Sequence, residues 1–419
     1  MKDHLQRLLL LTALSTAAIA AETPKAPATF LDSLIEGKPV IDVRIRFEQV
    51  QQDALKTADA ITARTRLGYG TAPYKGFQAY IEGENIEPLE KNYFDGTGTN
   101  GSKYATVADP EITHINQAWL AYTYEKTKAT LGRQKIIYDN ARFIGDVGWR
   151  QNDQTFDAFS IKDTTFKKLT LNYAYLERIN RVFDDSGAQP DYHSNSHLVN
   201  VSYAGVPFGT LTAYAYLLDF KAHDGTPAAQ TAARNNSTQT YGLSYVGAYP
   251  VGKEFKATYR LEYATQSEYG NSLVHYNADY YTAELGGATK NYSLAAGYEV
   301  LGSDSGQGFR TPLATLHAFD GWDDVFLVTP ATGLTDTYIK ATAKIPGPVA
   351  LTAFYHFFGT DRGASDLGQE ADIAAVYKLN KQISFLAKFG KYWSDQNGPK
   401  ATAGNADVQK FWLEADYKF

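Results

Sequence analysis

From Val40 to Phe419 the chain repeats one pattern, about ten residues alternating apolar and polar and then a break. In the last run Phe411, Leu413, Ala415, Tyr417 and Phe419 share one face, and Trp412, Glu414, Asp416 and Lys418 share the other. Successive side chains of a strand point to opposite sides, so each such run reads as a strand with one apolar face. The first, Val40–Gln49, sets Ile41, Val43, Ile45 and Phe47 against Asp42, Arg44, Arg46 and Glu48. The second, near Thr62–Thr71, sets Leu67 and Tyr69 against Arg64 and Arg66, and the third, Gly76–Glu87, places Gln78, Tyr80, Glu82 and Glu84 on its polar side. Further strands are predicted near 113–125, 127–137, 154–163, 168–178, 195–205, 208–220, 239–249, 253–266, 276–287, 290–301, 335–345, 348–359, 368–379, 381–393 and 407–419.

The breaks alternate in length. Short turns fall at Ala72–Lys75, Gly205–Pro207, Tyr249–Gly252, Pro346–Pro348 and Leu379–Lys381, and long polar loops at 88–112, 138–153, 179–194, 221–238, 302–334 and 394–406. A soluble sandwich could carry one-faced strands. So many of them, joined alternately by tight turns and long loops, predict an all-β transmembrane antiparallel β-barrel of about 18 strands. Its turns would be periplasmic, its loops extracellular, its outside apolar and its lumen polar.

The amino terminus adds to this. Lys2 and Arg7 precede an apolar run from Leu8 to Ala17 and the small-residue site Ala18-Ile19-Ala20, the layout of a secretory signal peptide, too short to span as a helix. The expected division is a signal peptide at 1–20, a loose periplasmic lead-in at 21–39 containing Pro24, Pro27 and Pro39, and the barrel at 40–419. The mean hydropathy of −0.36 suits an alternating chain. The aromatic Phe419 resembles the signal that bacterial barrel-assembly machinery reads on outer-membrane proteins.

Composition narrows the chemistry. With 0 cysteines, disulfides and thiolate metal sites are excluded, while 30 tyrosines and 22 phenylalanines suit aromatic girdles facing lipid headgroups. The net charge of −6, or −7 once Lys2, Asp3 and Arg7 are removed, gives no support to nucleic-acid binding. Gly96-Thr97-Gly98-Thr99-Asn100-Gly101 matches a dinucleotide pattern but lacks the strand-turn-helix setting. The histidines show no metal-ligand spacing and no nucleophile elbow occurs, so no cofactor, metal or catalytic residue is expected.

The informative residues are charges on the polar faces. Arg44, Arg46, Arg64 and Arg66 are expected to line one wall of the lumen, with Lys256 and Arg260 as an opposing bank and Lys340 and Lys344 elsewhere. Rings of Arg and Lys favour anions in pores. Glu82 and Glu84 stand next to Arg64 and Arg66, so a salt-bridge network bracing the wall is the equal alternative.

The most distinctive stretch is Gly132-Arg133-Gln134, then Trp149-Arg150-Gln151-Asn152 and Thr155-Phe156-Asp157-Ala158, with Ile115-Asn116-Gln117-Ala118-Trp119-Leu120 before it and Tyr173-Ala174-Tyr175-Leu176 and Ile179-Asn180-Arg181-Val182-Phe183 after it. Here the sequence resembles the alginate-export family of outer-membrane barrels. The resemblance implies a constricted, charge-lined lumen, and members that pass a polyuronate along basic residues; Arg133 would take the place of an inward family arginine. Arg133 and Lys135 are expected inward, since an arginine facing mid-bilayer costs about 2–4 kcal/mol. The loop Tyr138–Asp153 is expected to fold into the lumen, because Phe143, Ile144, Val147 and Trp149 are too apolar for a solvated loop, and to project Arg142, Asp146 and Arg150 into the pathway.

The function expected is a monomeric channel in the outer membrane of a Gram-negative bacterium. It would pass a small hydrophilic solute or polysaccharide, anionic in character, by passive diffusion through a wall surrounded by outer-membrane lipid. The rivals are a barrel enzyme acting at the cell surface and a structural barrel that anchors a partner.

Overall fold

The computed structural model describes residues 27–91, 93–96, 103–183, 191–223, 226–395 and 405–419. The expected signal segment 1–20 and most of the Gly96–Gly101 stretch lie outside the described residues. Eighteen long strands form the wall: β1 Lys38–Gln52, β2 Ala58–Gly70, β3 Phe77–Pro88, β4 Ile112–Tyr124, β5 Thr127–Gln134, β6 Thr155–Asp163, β7 Leu169–Asn180, β8 Asp191–Tyr203, β9 Gly209–Leu217, β10 Thr238–Val251, β11 Phe255–Glu268, β12 Asn277–Ala288, β13 Tyr292–Leu301, β14 Leu334–Lys344, β15 Val349–Gly359, β16 Asp366–Lys378, β17 Ile383–Ser394 and β18 Val408–Lys418. Each pairs antiparallel with its neighbours in sequence. β1 also pairs with β18, from Asp42 opposite Lys418 to Gln52 opposite Val408, so the sheet closes on itself. Closure satisfies every wall strand's hydrogen bonds and leaves no edge, the condition for a sheet to sit in lipid.

The alternation sorts the side chains as expected. Leu67, Ile81, Leu120, Leu243, Leu261, Leu285, Ile339 and Leu413 are exposed on the outside. Towards the short turns this belt gives way to Tyr124, Phe166, Phe208, Tyr249, Phe255, Tyr292 and Phe419, and towards the long loops to Tyr241, Tyr263, Tyr281, Tyr355 and Trp393. These are two aromatic girdles around an apolar band. The buried interior is built mainly of charged and hydroxyl-bearing wall residues and of loops folded in from the long-loop end.

Two expectations need correction. Residues 30–35 of the lead-in are ordered: Phe30–Ile35 forms a short helix, α1, capped by Thr29, whose hydroxyl accepts from the Asp32 amide while Asp32 accepts from the Thr29 amide. It docks on the short turn between β2 and β3 through the Ala72 amide, which donates to the Ser33 carbonyl at 3.0 Å. The second correction concerns Arg133. Leu131 is exposed on the lipid face opposite Phe159, and Arg133, two residues on, lies opposite Asp157 on that same face. Arg133 therefore points outward and Gln134 inward. Its cost is offset by its place at the outer end of β5 and by two bonds to Asp157, at 2.7 and 3.1 Å, with a third to the Ile115 carbonyl at 3.1 Å. Gly132 marks the bend: its φ is +120°, and a Cβ there would sit 2.3 Å from the Ala118 carbonyl oxygen.

Candidate functional site

The four expected arginines meet in one patch on the lumen face. Arg44 lies directly opposite Arg64, and Asp42 opposite Arg66. All four guanidinium groups are buried and each has a carboxylate partner. Arg44 reaches Asp416 at 3.1 Å and Glu414 at 3.4 Å; Arg46 reaches Glu414 at 2.5 Å; Arg64 reaches Asp42 at 2.7 Å; Arg66 pairs with Glu84 and reaches Asp153 at 2.7 Å. Glu82 is buried beside them, taking bonds from Asn116 and Tyr80. Removing one partner of such a pair strands a buried charge, at about 3–5 kcal/mol. The patch is the wall-bracing network, with its positive charge already answered.

Three of the four arginines, Arg44, Arg46 and Arg66, also hold a loop. Arg44 donates to the carbonyls of Gly148 and Trp149 at 3.3 Å, Arg46 to that of Trp149 at 2.6 Å and Arg66 to that of Gln151 at 3.2 Å. The segment 135–154, between β5 and β6, crosses the lumen as expected. At its far end Phe143 packs on Tyr214 and Tyr280, with ring centroids 5.3 and 5.2 Å away. Arg142 is fully buried between Glu299 at 2.6 Å and Asp320 at 2.9 Å, and Arg150 joins Glu48 at 3.1 Å to Asp324 at 2.9 Å. Both are inside the lumen, but locked in ion pairs rather than offered to a solute. Asp146 sits 3.8 Å from Lys135, which also pairs with Asp153.

A second inward loop, 302–333, was not anticipated. It runs beside the first, with Ile144 and Leu313 bridged in parallel and the Gly145 amide donating to the Leu313 carbonyl at 2.8 Å. Asp324 from this loop collects Arg150, Lys410 at 2.7 Å and His317 at 2.7 Å. Burial alone would raise the Asp324 carboxyl, but His317, Lys410 and Arg150 hold it well below the usual carboxylate range. Trp149 stacks on His317 at 4.3 Å. Lys388 lies beside them, its ammonium 3.7 Å from the Trp322 ring centre, 4.2 Å from that of Trp149 and 5.2 Å from that of Trp412. Trp412 was already anomalous in sequence, a tryptophan on the polar face of the last strand; that was the available signal for this aromatic cluster.

Below the two loops, towards the short turns, the lumen opens. A cavity of about 440 Å³ is lined by Gln117, Trp119, Lys128, Thr130, Lys135, Asp139, Ser160, Lys162, Asn172 and Asn200, among others. Lys128 lies directly opposite Lys162. Lys256, Lys340, Lys344 and Lys378 project inward at the same end of β11, β14 and β16, each on the lumen face of its strand with Arg260, Asp336 and Asp372 respectively. None of these six lysines has a carboxylate partner among the described residues. Arg260, by contrast, is buried and held by Glu262 at 2.6 Å. The expected opposing bank thus divides: Lys256 is open and Arg260 is neutralised. Asp139, on the inward loop at the edge of this cavity, accepts from Asn200 at 2.9 Å; desolvation by the surrounding barrel and then the Glu262 charge push its carboxyl up to about 6.

The geometry is that of a plugged membrane barrel with a basic vestibule, and comparison places it. The fold matches Acinetobacter baumannii OccAB2 at TM-score 0.70 and 14% identity, covering 92% of this chain and 99% of that one. It matches Pseudomonas aeruginosa OpdL at 0.67 and 14%, covering 92% and 99%, and Pseudomonas aeruginosa OpdK with vanillate at 0.68 and 12%, covering 91% and 98%. No match is found among curated proteins. The family model described as "Alginate export" matches residues 37–294, through most of the strands that carry the arginine patch and the first inward loop. The chain belongs to the alginate export family of outer-membrane β-barrels.

Proposed function

We propose that this protein is a passive channel of the Gram-negative outer membrane for small, hydrophilic, anionic solutes, exported behind the signal segment 1–20 and working as a monomer. The observation that carries the reading is the vestibule: Lys128 and Lys162 line the open cavity, Lys256, Lys340, Lys344 and Lys378 share the lumen face towards the same end, and none has a carboxylate partner among the described residues. An unpaired ammonium facing water attracts anions without trapping them, since it stays hydrated and mobile on a long stem. The buried arginines do the opposite work, fixing the inward loops that narrow the pore. Small carboxylates suit such a lumen better than a long polyuronate, because the loops 135–154 and 302–333 cross it and are tied to both walls. OpdK, whose fold this chain shares, is known with vanillate, a carboxylate. The reading needs no catalytic residue.

The test is the reversal potential in a planar bilayer under a potassium chloride gradient. The wild type should prefer chloride, and Lys128→Gln with Lys162→Gln should move the potential towards the cation side. Equal potentials for the two proteins, or cation preference in the wild type, would remove the vestibule from the mechanism.

A further inference from the structure

The outer rim holds a second set of residues that transport does not use. Strand β8 begins at Asp191 on the long-loop side, and the short strand Phe220–Ala222 pairs with it antiparallel, Lys221 opposite His193 and Ala222 opposite Tyr192. One residue further on, His223 falls beside Asp191. Alternation along β8 puts Asp191 and His193 on one face, the outward face that carries the exposed Val199 lower down. The register thus assembles two imidazoles and a carboxylate from two neighbouring strands.

Their donor atoms all lie within 4.8 Å of one another. The two imidazole rings are 6.0 Å apart, and His223 Nδ1 is 3.2 Å from Asp191 Oδ2. Arg178 Nε approaches the same oxygen at 3.1 Å. The other oxygen, Oδ1, is buried and has no hydrogen-bond partner among the described residues, on a residue only 7% exposed. A buried carboxylate oxygen without a donor is costly and asks for a cation or a proton donor. His193, exposed on the same face, makes no hydrogen bond among the described residues.

We propose that Asp191, His193 and His223 form a site for a divalent transition-metal ion, zinc being the probe of choice. Imidazole nitrogen with one carboxylate suits zinc, nickel and copper rather than calcium or magnesium, which prefer all-oxygen shells. Zinc at about 2.0–2.1 Å from each ligand needs donors about 3.3 Å apart, within reach of a rotation of the two exposed imidazoles. Three protein ligands leave a fourth position for water. Bound there, the ion ties the short strand, and so the outer loop leading to Pro227–Asn235, to the barrel wall. A simple Arg178–Asp191–His223 ion pair explains part of this geometry but gives His193 no role, so His193 decides between the two.

The test is calorimetric titration of untagged, folded protein in detergent with zinc chloride. One equivalent should bind, and His193→Ala and His223→Ala should each weaken it by about tenfold or more. Zinc should raise the temperature of heat-modifiable unfolding in the wild type and not in these variants. His197→Ala, four residues down the same face and bonded instead to Tyr173 at 2.9 Å, should bind as the wild type does. Arg178→Gln should bind zinc at least as well, since it removes a competing cation. Wild-type affinity no greater than that of His193→Ala, or an equal loss in His197→Ala, would overturn the site.

Discussion

Arg44 faces Arg64 across adjacent strands, a pairing that would repel if each did not lean towards its own carboxylate, Asp416 in one case and Asp42 in the other. That arrangement fixes what a substitution does. Arg44→Gln with Arg64→Gln leaves Glu414, Asp416 and Asp42 less well answered, so it should cost about 3–5 kcal/mol per stranded partner. The readout is a lower unfolding temperature on a heat-modifiability gel, with little change in ion selectivity; a large selectivity change at wild-type stability would return these arginines to the pathway. Asp139 offers the opposite case, a carboxyl raised to about 6 at the edge of the open cavity. A raised carboxyl is neutral below its folded pKa and charged above it. Anion preference should therefore increase as pH falls through about 6, and Asp139→Asn should hold the acid-side preference across the range. A preference independent of pH in the wild type would contradict the assignment.

At the scale of elements, the inward loops cross the lumen and are proposed to set its bore. Deleting 141–148 removes Arg142 and Phe143, the anchors on the far wall. Single-channel conductance should rise roughly twofold or more if these loops limit flow through an otherwise water-filled barrel; unchanged conductance, in protein still heat-modifiable, would make the loop a cover rather than a constriction. The strands were legible because a period of two is a local property, and the observed bounds follow the predicted runs throughout. The loop 135–154 was legible from its apolar side chains. Loop 302–333 was not, because Asp320 and Asp324 look like solvated loop acids until Arg142, Arg150 and Lys410, distant in sequence, are brought to them. Arg133 failed for a related reason: a single charge on a strand says nothing about depth, and its partner Asp157 lies on the next strand at the rim. Likewise, sequence parity placed Arg44 to Arg66 in the lumen correctly, yet could not tell a paired arginine from a free one.

For the whole molecule, charge is divided along the axis. Near the long loops the lumen holds interlocked ion pairs; near the short turns, beside the Asp42 pairs with Arg64 and Lys418, stand lysines with no carboxylate partner among the described residues, Lys128 and Lys162 lining the cavity. This division predicts that selectivity weakens with salt, since exposed lysines are screened over about 3 Å at 1 M, while stability, resting on buried pairs, changes little. Measuring reversal potential and unfolding temperature over the same salt series separates the two; parallel loss of both would mean that the same charges serve both ends. The most direct test of a passive anion-preferring channel is efflux from proteoliposomes of three radiolabelled sugars of similar size, glucuronate, glucose and glucosamine. The structure predicts glucuronate leaving fastest and glucosamine slowest, all above protein-free liposomes and without any energy source. No efflux above the protein-free control, or glucosamine leaving fastest, would contradict it.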